Sequence, residues 1–420
     1  MGFASSKLEV PLFAELYGYG PFLGRRNQGI HEDIFCRAAS FEQNGERAII
    51  IVSDLVTMDE QRARDVRSAI AQRLHINSDG IMLCATHTHS APTISPGIGW
   101  GELNQEFVDN WIKTAVATAL EAVTDEEAVS MHGGKVDLSR QLGKNRVFAD
   151  GPTDPDIRWI RFKRQDGSSK LLLHNHGMHG VIFGPQMLYV SSDWSGTANR
   201  VIEERKLAEN AMFLQGACGN INTEPVAVDF ETGKKAITKL VKSYVNDLAT
   251  GLGNDNEQNL CPFPLKSILK KHTLPHKAVT PSQLREKAKV LSNSYLCNRM
   301  EEMALYMEAG NSIEVQADLQ SIRIGDLYIY ALPGEPFYEI GHDIARKSPG
   351  KMAIISEVSN GNCRYFPTRE TFEKFPDITS QAGSGYYEIH QGCGRFMPEY
   401  IDEIGDYIID KCLKAGAKLS

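Results

Sequence analysis

Short apolar runs alternate along the chain with longer segments in which apolar residues recur at helical spacing. The run from Ala48 to Asp54 predicts a buried strand that ends in a carboxylate, and residues 59–74 predict a helix with one apolar face. A second apolar run, Ile81 to Cys84, predicts the next strand. This strand–helix–strand order indicates parallel strands whose carboxyl ends lie at the same edge of a sheet.

The alternation continues through the rest of the chain. Further strands are predicted at 128–137, 157–163, 171–174, 211–214, 327–332 and 352–358, and further helices at 105–123, 195–208 and 337–346. Residues 250–278 are polar and proline-containing, which predicts a loop. Residues 280–309 predict a long helical excursion that is a candidate for contacts in a homo-oligomer. The order of elements predicts an α/β fold with mixed sheets flanked by helices, in a single large domain over residues 1–420.

Composition and charge exclude several classes of function. The chain is 42% apolar and 23% charged, as in ordinary globular proteins, and its net charge of -8 argues against nucleic-acid and anionic-membrane partners. No segment approaches the length of a transmembrane helix, and the N-terminus has no apolar core of signal-peptide length. The eight cysteines form no CxxC pair. We therefore expect a cytoplasmic protein that acts on a small molecule.

Histidines carry the first chemical signal. His87 and His89 follow the strand at 81–84, and if the chain stays extended their imidazoles project from the same face. Such a pair can bind one metal, or one imidazole can bind while the other transfers protons, although two hydrogen-bonded structural histidines have the same spacing. His174, His176 and His179 follow a later strand, and the chain has only 12 histidines. This density favours a metal or proton-transfer site.

Two further features have both a functional and a structural interpretation. The glycine-containing turn at 215–220 lets backbone amides approach a ligand closely, but an ordinary structural turn explains it equally well. Asp54 and Asp193 follow segments near the histidines, and either carboxylate could orient an imidazole through its second nitrogen. Helix capping or a surface ion pair is the alternative for each.

Five separated motifs together resemble the catalytic domain of the neutral/alkaline (non-lysosomal) ceramidases, zinc-dependent amidases that cleave the N-acyl bond of ceramide. In the family's order, these motifs are His87-Thr88-His89 continuing to Pro92, Asn145-Arg146, His179 fourteen residues before Asp193, Pro333-Gly334-Glu335, and the pair Tyr365 and Tyr387. The resemblance covers most of the chain, from about Gly18 to Tyr387. The two tyrosines are further apart than in the family, with the additional residues around 375–383.

The resemblance implies a set of site residues. It implies one zinc ion per chain, bound by His87, His179, Glu335 and Tyr365. It also implies catalytic roles beside the reacting carbonyl for His89, Arg146 and Tyr387. The turn that carries the substrate-binding or nucleophilic serine of the family matches residues 219–223, which makes Gly219 and Asn222 the candidate substrate-binding residues.

Two departures from the family change the expected chemistry. Asn222 occupies the position of the family's serine, and an amide cannot act as a nucleophile, so a serine acyl-enzyme is not expected. Water activated by zinc is then the expected attacker of the carbonyl. The chain also has neither the C-terminal β-sandwich nor the secretion signal of family ceramidases, which argues against ceramide as the substrate.

The sequence therefore predicts a zinc-dependent, ceramidase-like hydrolase that cleaves an amide (N-acyl) bond in a substrate other than ceramide. A zinc esterase or lactonase acting on a small soluble substrate is the first alternative, since it needs the same site. The second alternative is a non-catalytic ligand-binding module of the same fold, which the Asn222 substitution favours. The joint presence of His87, His179, Glu335 and Tyr365 argues against that module.

Overall fold

A computed structural model of the chain describes residues 1–20, 24–95, 101–227, 229–253, 257–290, 294–376, 385–391 and 398–420. Three larger sheets form the framework of these residues. In spatial order, the first sheet contains Gly2–Leu8, Ile34–Gln43, Glu46–Ser53 and Ile81–Ala85. The second contains Asn210–Gln215, Ser169–His176, Asp156–Lys163, Ser130–Asp137 and Gln258–Leu260. The third contains Leu265–Leu274, Val315–Ile324, Leu327–Ala331 and Met352–Ser356.

Helices and short strand pairs complete the described part of the fold. The strand pairs are Gly29–Ile30 with Tyr189–Val190, Gly143–Asn145 with Ile221–Thr223, and Glu335–Pro336 with Tyr365–Phe366. The α-helices are Glu60–Leu74, Gln105–Thr124, Asp193–Glu204, Phe230–Gly253, Pro281–Val290, Ser294–Glu308, Tyr338–Lys347, Arg369–Lys374 and Ile404–Leu419. None of the helices in these residues is long and apolar enough to cross a bilayer. The predicted α/β class with mixed sheets is confirmed.

The three sheets share one buried core. Along Glu46–Ser53 the side chains alternate between two apolar environments, as the two-residue period of a strand requires. Ile50 and Val52 point into a cluster that also contains residues of the other two sheets, such as Leu173 and Ile329. Ile49, on the opposite face, packs among helix residues. A strand buried on both faces explains why the sequence reads as a continuous apolar run.

Each sheet is covered on its other face by its own helices. Glu60–Leu74 and Gln105–Thr124 pack on the first sheet, Asp193–Glu204 and Phe230–Gly253 on the second, and Tyr338–Lys347 and Ile404–Leu419 on the third. Asp59 is the capping residue before the helix at 60–74, and its side chain accepts a hydrogen bond from the backbone N–H of Arg62.

Each of the three larger sheets contains one parallel pair of strands, and these pairs determine where the site lies. The pairs are Glu46–Ser53 with Ile81–Ala85, Ser169–His176 with Asn210–Gln215, and Leu327–Ala331 with Met352–Ser356. The first and third confirm the strand–helix–strand prediction. The candidate ligands follow the carboxyl ends of these strands, which is where open α/β sheets build binding sites.

The structure changes two predictions about residues 250–309. Residues 250–278 are not a loop, because Leu265–Leu274 is a ten-residue strand paired along its whole length with Val315–Ile324. Within the described ranges it has one strand neighbour, and its exposed lysines are typical of an edge strand. The excursion at 280–309 is two helices rather than one, packed together through Leu284, Met300 and Met303.

Candidate active site

The loop after the first sheet holds its two histidines in a conformation that the sequence pattern did not predict. The strand ends at Ala85, and His87 has a φ of 62°, in the left-handed region. The backbone N–H of His89 then donates to the carbonyl of Gly180, 3.0 Å away. The two imidazoles are therefore neighbours, with ring centroids 4.8 Å apart, because the chain turns and not because it stays extended.

Four side chains from the three sheets meet at one point. Oε2 of Glu335 lies 3.4 Å from Nε2 of His87 and 3.5 Å from Nε2 of His179. Nε2 of His89 lies 3.4 Å from Nε2 of His87. All four side chains are buried. Among the described residues, His87, His89 and His179 form the group of histidine, cysteine and carboxylate side chains close enough to hold a metal ion.

Backbone carbonyls fix the direction of two imidazoles. Nδ1 of His87 lies 2.7 Å from the carbonyl oxygen of Val56, and Nδ1 of His179 lies 2.9 Å from that of Ile221. In each ring Nδ1 is therefore the donor, and the lone pair of Nε2 points towards Glu335. A histidine that binds a metal through one ring nitrogen usually donates the N–H of its other ring nitrogen to a carbonyl or carboxylate, as these two rings do.

The carboxylates of Asp54 and Asp193 do not have the orienting role that was considered for them. Asp54 pairs with Arg37, at 3.1 Å, and accepts from the N–H of Phe35. Asp193 accepts from the backbone N–H groups of Phe183 and Trp194. Asp54 thus forms a buried ion pair and not a surface one, and Asp193 holds backbone N–H groups at the start of the helix Asp193–Glu204.

The distances between the inward-facing atoms fit a small cation. Zinc binds imidazole nitrogen at roughly 2.0–2.1 Å with tetrahedral geometry, which places neighbouring ligand atoms about 3.3–3.4 Å apart. The three measured separations, 3.4, 3.4 and 3.5 Å, match this value. Nε2 of His179 and Oε2 of Glu335 are buried without a well-directed hydrogen bond from any described residue. Two such orphaned atoms facing each other indicate a bound group that both contact.

The pKa shifts of the three histidines are also consistent with a metal site. Burial, with a contribution from Arg146, lowers the pKa of His179 to about 4, so this ring is neutral at pH 7 as a metal ligand must be. Burial and the neighbouring histidines hold the pKa of His89 well below its ordinary value. Burial also disfavours the cationic form of His87, but Glu335 more than offsets this and raises its pKa. The Glu335 carboxylate therefore attracts a proton or a metal ion to this position.

Tyr365 and Arg146 form the next layer of the site. The strand pair that contains Glu335 and Tyr365 places these two residues directly opposite each other. The Arg146 guanidinium lies 5.3 Å above the ring of Tyr365, and the Tyr387 ring lies 5.6 Å from it. Burial, followed by the charge of Glu335, holds the pKa of Tyr365 well above its ordinary value. All the motifs that carry the family resemblance thus meet in one region.

The turn at 219–222 connects this region to Glu335. The carbonyl oxygen of Gly219 accepts from Nη2 of Arg146 at 2.8 Å, and Oδ1 of Asn222 lies 3.3 Å from Nη1. A Cβ atom on Gly219 would lie 2.4 Å from the backbone oxygen of Glu335, so only glycine permits this approach. The extra residues between the two tyrosines fall mostly at 377–384, outside the described residues.

Sequence reasoning missed the aromatic segment that lies against His89. A Cβ atom on Gly18 would lie 2.5 Å from Nδ1 of His89, and the ring of Tyr19 contacts the same imidazole edge to face at 5.1 Å. Tyr17 packs with Val56 in a small cluster that also includes Tyr387. The glycine-rich composition of residues 18–29 was the available signal, but it did not indicate which side chain this segment contacts.

His174 and His176 lie outside the group. His174 is hydrogen-bonded to Tyr244 and Asn199, and Nδ1 of His176 lies 3.0 Å from the carbonyl oxygen of Asp156. Both are satisfied core histidines. The spacing that selected His179 from the three histidines therefore agrees with the geometry.

Comparison with solved structures identifies the fold. No protein-family model matches the chain. A crystal structure of neutral ceramidase from Pseudomonas aeruginosa superimposes with a TM-score of 0.79 over 100% of this chain and 74% of the other, at 16% sequence identity. The fold is that of the neutral ceramidases. A ceramidase complexed with C2 gives a TM-score of 0.77 at 15% identity, again over 100% of this chain and 74% of the other.

The ceramidase fold confirms the structural part of the resemblance. An identity near 16% is too low to transfer a function, so the comparison establishes the arrangement of elements and not the reaction. What this chain itself contributes is a buried group of three histidines that could bind a metal, with a carboxylate facing two of them. The roles of the individual residues remain predictions.

Proposed function

We propose that the protein is a zinc-dependent hydrolase that cleaves an amide (N-acyl) bond. The observation that carries this proposal is the convergence of His87 and His179 on one oxygen of Glu335, with both imidazoles held by backbone carbonyls. Two histidines and a carboxylate are a recurrent ligand set of hydrolytic zinc enzymes. The ceramidase fold supports the choice of an amide over other acyl compounds. We assign Tyr365 as the fourth protein ligand and one zinc ion to each chain.

In this mechanism the chain's own residues position the acyl carbonyl and move protons. A zinc ion held by His87, His179 and Glu335 would supply a Lewis acid and a water of lowered pKa. His89 is neutral and lies beside these ligands, so it can accept a proton from the attacking water and pass that proton to the leaving nitrogen. Arg146 and Tyr387, which both contact the ring of Tyr365, stabilise negative charge that develops on the carbonyl oxygen.

We extend the proposal to the setting of the reaction. A cytoplasmic location is supported by the buried thiols of Cys36, Cys84, Cys218 and Cys412. The net charge of -8 supports a small-molecule substrate over nucleic acid. Gly219 and Asn222 would contact this substrate, because their turn adjoins both Arg146 and the backbone of Glu335.

Metal removal and restoration tests this function. The purified protein, stripped with a chelator and assayed on N-acyl amides and on esters with the same acyl group, should be inactive until zinc is restored. We expect about one zinc per chain by elemental mass spectrometry and faster cleavage of the amides. Preferential cleavage of the esters would identify an esterase or lactonase instead. Failure of the folded protein to bind zinc would reject the hydrolase and support a ligand-binding module.

Asn222 distinguishes attack by water from attack by a side chain. Asn222→Ala should retain turnover within about tenfold of the wild-type value, because the change removes only a hydrogen-bond acceptor for Arg146. The kcat of this variant on the best amide substrate is the measurement, with zinc content measured in parallel. Complete loss of turnover with zinc still bound would contradict attack by water. Asn222→Ser restores the family's residue and should also be active.

A further inference from the structure

A buried carboxylate outside the five motifs lies against Arg146. Glu388 directly follows Tyr387 and is 1% exposed. Its Oε1 lies 2.9 Å from Nε of Arg146, and its other oxygen accepts from the backbone N–H of Gly385. The backbone N–H of Gly385 therefore holds the carboxylate in place independently of the arginine.

Protein oxygens surround the three nitrogens of the guanidinium. Nε lies 2.9 Å from Oε1 of Glu388 in an ion pair without hydrogen-bond geometry, and Nη1 and Nη2 donate to Oδ1 of Asn222 and to the carbonyl oxygen of Gly219 at 3.3 and 2.8 Å. A guanidinium that binds a substrate carboxylate usually presents two N–H groups of its fork to the ligand. In Arg146, one N–H of each terminal nitrogen already donates to a protein oxygen, so single N–H groups remain for a carbonyl oxygen. Its position connects the turn at 219–222 to Tyr365.

The charge of Arg146 is also compensated. The pair lies in a buried region, where the attraction between opposite charges is larger than at the surface. With Glu388 ionised, the pair adds no net charge beside the metal candidates. With a neutral residue at 388, the guanidinium, whose side chain is 16% exposed, would remain uncompensated next to the substrate and would attract an anionic substituent.

We propose that Glu388 is a positioning residue that holds Arg146 in place and, by compensating its charge, makes the site select an uncharged acyl group over one bearing a carboxylate. The inference rests on the proposed function for its substrate class, because it concerns the acyl group of the cleaved bond. The interaction of Glu388 with Arg146 does not depend on which reaction the site performs.

The test compares two substrates that differ only in charge. N-acetyl and N-succinyl 4-nitroanilides share a leaving group, and only the second has a carboxylate on its acyl side. In Glu388→Gln, which keeps the shape but removes the charge, we expect the ratio of kcat/KM for the succinyl over the acetyl substrate to rise about tenfold. Zinc content should not change. Glu388→Asp restores the negative charge and should return the ratio towards the wild-type value.

A matched control separates the effect at Glu388 from the general loss of a carboxylate. Glu257→Gln removes a carboxylate from an ion cluster with Arg161 and Lys163 on the second sheet and should leave the ratio unchanged. A fall in both substrates with an unchanged ratio would reduce Glu388 to a structural role and overturn the inference.

The inference can also fail separately from the proposed function. If the zinc-loaded wild-type protein cleaves none of the N-acyl amides, the proposed function fails, and binding is measured instead by thermal shift with succinamate and its neutral analogue succinamide. Glu388→Gln should bind succinamate about tenfold more tightly than the wild-type protein and succinamide equally well. Equal binding of succinamate by the two proteins would overturn the inference without any reference to turnover.

Discussion

Replacing Glu335 by alanine should abolish metal binding and hydrolysis together. The Glu335 carboxylate faces Nε2 of both His87 and His179, so its removal takes away the negative charge of the ligand group. Loss of a residue that only supports a metal ligand costs about 10- to 100-fold in affinity, and loss of the ligand itself should exceed this. Elemental mass spectrometry and kcat/KM on the best amide substrate are the measurements.

The variant should remain folded, which separates this effect from a general loss of structure. Burial opposes the charge on Glu335, and His87 and His179 more than offset it, holding its pKa well below the ordinary value. Without the carboxylate both rings can be neutral, so we expect a cooperative thermal transition. Glu257→Ala, which removes a carboxylate from a distant ion cluster, should keep zinc and activity. Full zinc occupancy in Glu335→Ala would remove Glu335 from the ligand set.

His89→Ala should keep the metal and lose rate by about 10² to 10⁴, the range that a positioned proton donor contributes. This experiment separates two ligand sets that the geometry permits. His89 lies at a ligand-like distance of 3.4 Å from His87, and the three histidines by themselves form a group that could hold a metal. The family resemblance instead assigns the metal to His87, His179, Glu335 and Tyr365.

Zinc content decides between these two sets. If zinc is lost from His89→Ala, the imidazole is a ligand, and another group must donate the proton. His176→Ala is the matched control, because it removes a buried imidazole that lies outside the group and is hydrogen-bonded to the backbone oxygen of Asp156. It should retain zinc and rate, at some cost in thermal stability.

The sequence predicted which side chains form the site better than it predicted their geometry. His87 and His89 were found from their spacing, but the expected extended strand is replaced by a turn in which His87 has a positive φ. The carbonyl groups of Val56 and Ile221, which orient the imidazoles, could not be predicted because every residue has a carbonyl. Asp54 was considered for that role because carboxylates are visible in a sequence, and it pairs with Arg37 instead.

Errors in the fold have a similar physical origin. The strand Leu265–Leu274 was interpreted as a loop because lysines and nearby prolines outweigh its apolar residues. An edge strand has one side open to solvent, so tertiary pairing with Val315–Ile324 overrides local composition. Glu388 was visible next to Tyr387 but unassigned, since its importance depends on contact with Arg146, more than 200 residues earlier in the sequence.

The origin of the site in three different sheets has a consequence for the newly made chain. Synthesis from the N-terminus completes the first sheet, and with it His87 and His89, more than 240 residues before Glu335. Throughout that part of translation the histidines are present without the carboxylate that faces them. With the metal site as proposed, tight and selective uptake of a metal would require the third sheet to have docked, and a shorter chain would not acquire the chemistry early.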